Sequence, residues 1–580
     1  MGKNLKQRIY KIIKFLSKHS LAVLIAVFFG FLVIFPTLTV IFNLGDDFKG
    51  IYPSFSSTDE YYYQTKVKEI SEGNGLGNIY IKENKNQPYM NSMLAEYVLA
   101  KISTSFNLPV PKLFAINDFA LSVLLFLLIY ALFFISGKNK LLALIFSTIF
   151  CLIFIGTIGR PINPQFSFIF FITGAILLWN IYKEEESKKQ MVYNFLLGIN
   201  FAVLLYMYPY FWTALLAVYF IILIYFLTKK RLYDVLAFAI TAIPLSVPYF
   251  INTYKASQSP FYAETISRMG LFYSHFPASY YNVTPVIITM IFIFFLRKKI
   301  RQDNLRFSFF LLIAALLINW QNIFTGKYIQ FATHYIMVTA FLVFWAILLI
   351  FSGINKIVFK QKFLIITCLI FPLAFLFFRN FNEMKDYLFI KTETNQYRQM
   401  QKLSRLFDWL NNNTLKNSVI YVVDSTEKEN LFPVYTHNNL YSNAFSGVFL
   451  MPDIEIERRW VRNNIFRKNL TAEEVEANYW NIWTQKFLDG YENREVRKKL
   501  FGLLGIKSAK ERRVPLENIN RVLSDFNQAN KNNPIDVIKE YEADYIVINN
   551  DFLKETKDKI KNTGKAKHLI DIDNYYIYKI

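Results

Sequence analysis

LAVLIAVFFGFLVIFPTLTVIFN, residues 21–43, runs for 23 residues without a charge. A bilayer core about 30 Å thick is crossed by about 20 apolar residues in helical form. The run is too long for the core of a signal peptide, and no small-residue cleavage site follows it. It is therefore expected to stay as a membrane anchor. Lys3, Lys6, Arg8, Lys11, Lys14 and Lys18 precede it. Positive residues are retained on the cytoplasmic side, which places the N-terminal segment there.

Ten more apolar runs follow, near 113–136, 141–158, 166–182, 193–209, 211–228, 235–252, 284–296, 307–322, 335–352 and 363–379. The 284–296 run is short, and the 193–228 pair can be divided differently. The loops between the runs alternate in charge. Those expected inside hold Lys138, Lys140, Lys183, Lys188, Lys189, Lys229, Lys230, Arg231, Arg297, Lys298, Lys299, Arg301, Arg306, Lys356, Lys360 and Lys362, which is 16 cations. The short outer loops hold 4, namely Arg160, Lys255, Arg268 and Lys327. That asymmetry orients the chain. An odd number of crossings then puts everything after residue 380 outside.

The expected fold is thus an α-helical polytopic membrane protein with about 11 transmembrane helices over residues 1–380, including a long first outer loop at 44–112. A soluble extracytoplasmic α/β domain follows over 381–580. VIYVVD (419–424), DYIVIN (544–549) and YYIYKI (575–580) read as its strands, and helices are expected near 452–466, 472–489 and 515–531. Within the first outer loop, Ser57 and Glu60 have capping-box spacing for a helix that ends before Gly73. Residues 91–103 read as an amphipathic helix on the membrane surface.

Composition narrows the class. The chain is 53% hydrophobic with 59 Phe and 37 Tyr, more aromatic surface than a soluble core requires. Its net charge of +22 is explained by the loops. No zinc-finger, RNA-binding or helix-turn-helix pattern accompanies it, so nucleic acid is not an expected partner. The two cysteines, Cys151 and Cys368, sit in apolar runs and build neither a disulfide framework nor a metal cage. Walker, nucleophile-elbow and HExxH motifs are absent, which argues against a nucleotide-driven pump or a typical protease.

Polar residues of interest gather on the expected outer side. Asp59 and Glu60 begin the loop helix. Asp59 can serve as a general base or hold a divalent metal; alternatively it only favours the helix dipole. Arg160, alone in the turn Gly159–Gln165, can fork onto phosphate oxygens or face lipid headgroups. Gln165 closes that turn. Tyr208 lies in the aromatic run 206–212, which can stack on sugars or simply mark the interface. Glu264, Arg268 and His275 form a weaker group. The stretch 319–335 carries Gln321, Lys327, Gln330 and His334. If its second half is helical, the last three share a face. So many hydrogen-bonding groups at membrane depth call for a ligand or a hydrated cavity.

This layout resembles the GT-C superfamily of membrane glycosyltransferases. Asp59-Glu60 stands where that superfamily keeps an acidic motif soon after the first span. The tryptophan-rich WWDYG-type sequence of oligosaccharyltransferases is missing, which argues against that branch. The resemblance implies a polyprenyl-(di)phosphate-linked sugar donor and a glycan, lipid or protein acceptor at the outer face of a bacterial plasma membrane. It implies Asp59 and Glu60 as catalytic, with Asp59 also able to hold Mg or Mn. Arg160, Gln165, Tyr208, Gln321, Lys327, Gln330 and His334 would then bind substrate. The competing expectation is a non-enzymatic carrier or flippase for a lipid-linked precursor, or an envelope-assembly protein. A carrier calls for charges within spans or inverted repeats.

Overall fold

The computed structural model describes residues 17–580 apart from 56–58, 91–92, 229–231, 274, 276, 278, 330–333, 355–358, 389–393, 488–497, 499–501, 503–504, 506–511 and 550–555. Helix α1 (Ser20–Leu44) is followed by α2 (Asp59–Ser71) and α3 (Leu94–Phe106) in the first loop. The bundle continues with α4 (Val110–Gly137), α5 (Lys140–Ile153), the short α6 (Ile155–Ile158), α7 (Gln165–Lys183), α8 (Ser187–Leu205), α9 (Pro209–Leu227) and α10 (Leu232–Ser257). After the two-turn α11 (Tyr262–Arg268) and strand β1 (Leu271–Tyr273) come α12 (Tyr280–Leu296), α13 (Gln302–Thr325), strand β2 (Lys327–Ile329), α14 (Tyr335–Gly353) and α15 (Phe359–Leu388).

Each apolar run of the sequence falls on a helix. Among the described residues, 8 helices are long and apolar enough to cross a membrane. The runs outside that set fall on α5, α8 and α15. Helix α5 has only 14 residues. Helix α8 carries Lys188, Lys189, Gln190, Asn194 and Asn200, and α15 runs on through Arg379, Glu383 and Lys385, across the 380/381 division.

Lipid as solvent explains the burial pattern. Helix α14 is enclosed almost along its length, with Phe341 stacked on Phe133 at 5.6 Å and Trp345 fully buried. The peripheral helices α1, α10 and α12 instead expose Phe28, Phe35, Ile240, Phe250 and Phe295. An apolar face of that extent marks contact with a membrane or a partner. Close packing relies on small residues. A Cβ on Gly198 of α8 would meet Thr241 Oγ1 of α10 at 2.0 Å.

The two ends of the bundle differ. At one end basic loops meet. Lys140 Nζ donates to Lys18 O (3.2 Å), Lys183 pairs with Asp303 (3.2 Å), and Arg301 N donates to Gly353 O (2.9 Å). The other end carries α2, α3 and the C-terminal domain.

That domain is a five-stranded mixed sheet. Its strands are β3 (Val419–Val423), β4 (Asn439–Leu440), β5 (Tyr545–Asn549), β6 (Lys567–Ile572) and β7 (Tyr575–Lys579), in the order β4-β3-β5-β7-β6. Strand β3 is parallel to β4 and β5, and β7 runs antiparallel between β5 and β6. Strands β4 and β6 were not expected from sequence. The expected 472–489 helix is two short ones, Ala472–Ala477 and Tyr479–Trp483; residues 488–489 lie outside the described residues.

Alternation along β3 sends Ile420 and Val422 to one face and Tyr421 to the other. The Tyr421 face packs on Trp460, Ile519 and Phe526. The opposite face shares its core with Ile79, Tyr80, Ile81 and Met93 of the first loop. Leu440 N on edge strand β4 donates to Tyr80 O at 3.0 Å, so the loop also covers a sheet edge. Arg268 locks a second contact. Its buried guanidinium donates to the carbonyls of Gly447, Phe449 and Met451 and pairs with Asp453.

Candidate functional site

The site begins where α2 meets the turn between α6 and α7. Helix α6 ends at Ile158, and the chain reverses through Arg160 before α7 starts at Gln165. Gln165 N donates to Arg160 O at 3.3 Å, closing the turn. Ile162 sits at φ +63, a conformation that a β-branched residue rarely adopts. Packing holds it there, with its side chain buried among Leu113, Phe114 and Met207. Strain of this kind persists where surroundings over-determine the backbone, and such places concentrate at functional sites.

The turn and α2 are joined twice. Arg160 forms an ion pair with Asp59, and Asn163 Nδ2 donates to Tyr63 Oη at 3.4 Å. Asp59 and Arg160 remain partly open, at 31% and 22% exposure, so a ligand can reach them. Glu60, one residue on, turns inward and is 9% exposed; its Oε1 accepts from Gln64 Nε2 at 3.2 Å. The Ser57 partner expected for its capping box lies outside the described residues.

Tyr208 and His334 face the same arginine. Tyr208 caps α9, His334 precedes α14, and Tyr208 Oη lies 2.6 Å from His334 Nδ1. Burial, with the Arg160 charge adding to it, pushes His334 down to about 3. The ring is therefore neutral near pH 7 and acts as a hydrogen-bonding group. Burial likewise raises the Tyr63 phenol to about 12, so it keeps its proton.

Asp118 is the addition the sequence reading overlooked. It lies two turns into α4, its Oδ1 accepts from Gln165 Nε2 at 3.2 Å, and it is within electrostatic range of Glu60. A carboxylate inside an apolar run was the visible signal, since such residues are costly there and mark function. Around it, Gln64 Oε1, Asn163 Oδ1, Gln165 Oε1 and Arg160 Nε are buried without a hydrogen-bond partner. Buried polar atoms are almost always satisfied, so this group invites water or a ligand.

The stretch 319–335 divides. His334 joins the site. Lys327 does not share a helical face with it, because Gly326 takes φ +66, ends α13, and releases Lys327–Ile329 to pair with Leu271–Tyr273. Lys327 is exposed on that strand. The Gln321 amide is spent on the turn, donating to Lys327 O (2.9 Å) and accepting from Thr325 Oγ1 (2.9 Å). Gln330 lies outside the described residues. Glu264 and Arg268 belong to the docking contact, where Glu264 accepts from Asp453 N at 2.6 Å. His275 Nδ1 lies 3.0 Å from Ile323 O.

Asp59 faces Arg160, and among the described residues no three His, Cys, Asp or Glu side chains gather as metal ligands. Leu76, Tyr89, Met93, Leu94, Tyr97 and Tyr206 line an apolar cavity of about 90 Å³. No family model matches the chain, and no curated protein matches it.

Proposed function

We propose that this chain is a GT-C-type membrane glycosyltransferase that moves a sugar from a polyprenyl-(di)phosphate donor to an envelope acceptor. The supporting observation is the Asp59–Arg160 pair, partly open and set among buried polar atoms with spare hydrogen-bonding capacity. An arginine fork matches phosphate oxygens, and a carboxylate beside it can take a proton from an acceptor hydroxyl. The acceptor oxygen bonds to the anomeric carbon as its proton passes to Asp59. The bond from that carbon to the phosphate oxygen breaks, and the electron pair leaves with the phosphate, facing Arg160. Tyr208 and neutral His334 orient the phosphate by hydrogen bonding.

In this reading 11 helices cross the membrane and the C-terminal domain lies outside. Helix α4, with 28 residues, is about 42 Å long. A hydrocarbon core of about 30 Å leaves about eight residues over. Taken at the N-terminal end, that surplus covers residues 110–117 and leaves Asp118 as the first residue within the span.

Asp118 also favours the second reading, a carrier of lipid-linked precursors, because carriers place charges inside spans. Turnover separates the two. Purified protein in detergent should release free polyprenyl phosphate from a polyprenyl-phosphate sugar when an envelope extract supplies acceptor, and Arg160→Ala should not. Movement of the donor across proteoliposomes without cleavage would overturn the enzyme reading.

A further inference from the structure

We propose that the apolar cavity between the first loop, α3 and α10 holds one acyl chain of an anionic membrane phospholipid, with the headgroup met by Lys101 and Lys255. Leu94 and Tyr97 of α3 line the cavity, together with Tyr89 of the loop and Tyr206 of the corner between α8 and α9. Leu94 N donates to Tyr206 O at 3.1 Å, which fixes the start of α3 to that corner. Two of the lining residues are also bonded to α10. Asn252 Nδ2 donates to Tyr89 O at 2.9 Å. Tyr206 Oη donates to Leu245 O and accepts from Tyr249 N, each at 2.9 Å. Leu245 and Tyr249 are a helical turn apart, so the hydroxyl sits in the backbone of α10 between Pro244 and Pro248. Its proton is spent there, and what Tyr206 offers the cavity is an apolar ring.

Helix α10 brings the cavity to the lipid. It is the least enclosed of the long apolar helices among the described residues, and Phe250, Ile251 and Tyr254 are exposed beside Asn252. Size narrows the occupant. A dry apolar cavity of about 150 Å³ takes a benzene ring. At about 90 Å³ this one is too small for a sugar ring and suits a short length of hydrocarbon chain. Charge narrows it further. Leu94, Tyr97, Val98 and Lys101 recur at spacings of three and four, so the stripe of α3 that lines the cavity ends in a cation. Lys255 stands one turn beyond Asn252 on α10. Both lysines are exposed. Cations at a membrane boundary attract anionic headgroups, so an anionic phospholipid fits both the cavity and its rim.

The test uses the full chain in detergent, with phosphatidylglycerol, phosphatidylcholine of the same chains and bare polyprenyl phosphate as probes. Native mass spectrometry counts the bound lipid. The wild type should hold one phosphatidylglycerol more tightly than phosphatidylcholine. Leu94→Trp fills the cavity and should weaken phosphatidylglycerol by about tenfold or more, the loss of two or more buried methylene groups. The double variant Lys101→Gln, Lys255→Gln should weaken it by about tenfold and leave phosphatidylcholine unchanged. Polyprenyl phosphate should bind Leu94→Trp as it binds the wild type. Thermal melts accompany each variant. A phosphatidylglycerol carrying a photoreactive group at its chain end tests the wild type directly, and should label peptides within residues 76–97 or 245–254. Labelling spread over α1 and α12, or unchanged binding in folded Leu94→Trp, overturns the lipid site and leaves the transferase standing. Weaker polyprenyl phosphate binding in folded Leu94→Trp also overturns it, by giving the cavity to the tail of the donor.

Discussion

Asp59 carries the sharpest expectation at the scale of one residue. Asp59→Asn keeps size and hydrogen bonding and removes the charge. Loss of a general base lowers the rate by about 10²–10⁴. Donor turnover should fall by that much while the melting curve barely moves. If Asp59 serves only the helix dipole, stability changes by about 0.3–1 kcal/mol and turnover persists. A second residue reports on pH. Burial, with Asp424 nearby, raises Glu429 to about 8 from its usual 4.5. The folded state then keeps a proton that the unfolded state loses above pH 4.5. The stability this contributes is complete below 4.5 and is lost as pH rises to 8. Glu429→Gln should flatten that decline, so its melting temperature should exceed that of the wild type at pH 8. A wild type with the same pH slope as the variant would refute the assignment.

At the scale of elements, Arg268 ties α11 to the C-terminal domain. Arg268→Ala strands the carbonyls of Gly447, Phe449 and Met451 and the charge of Asp453. Breaking a buried pair costs about 3–5 kcal/mol. Limited proteolysis should then cut between residues 253 and 283 much faster than in the wild type. Unchanged cleavage would show that the contact does not hold the loop. The long apolar helices were legible because lipid demands uninterrupted runs, a purely local signal. The 327–329 segment was misread for the opposite reason. Its strand character comes from Leu271–Tyr273, more than fifty residues upstream, and Gly326 ends the helix that the polar pattern seemed to extend. At the site, Asp59, Arg160, Tyr208 and His334 could be picked out singly by residue type. Their meeting could not, since nothing in the spacing of 59 and 160 encodes an ion pair.

For the molecule as a whole, sidedness is the open quantity. Cysteines placed at Lys298 and Lys416 should react oppositely with an impermeant thiol reagent, because the basic loops and the C-terminal domain occupy opposite ends. Labelling of both from outside would refute the proposed orientation. Residues 44–112 and 381–580 looked separate in sequence, divided by most of the spans. Packing joins them, with Ile79, Tyr80 and Ile81 on one face of the sheet.

That shared core sets a timetable. Glu542 N donates to Glu83 Oε1 across 459 positions of chain. At about 5–20 residues per second, ribosomes need about half a minute to a minute and a half to make that interval. Throughout it, the loop bearing Asp59 has no sheet to lie on, and Ile79–Ile81 stand bare. The newborn protein thus carries an uncovered apolar face on that loop until β5 and β7 arrive.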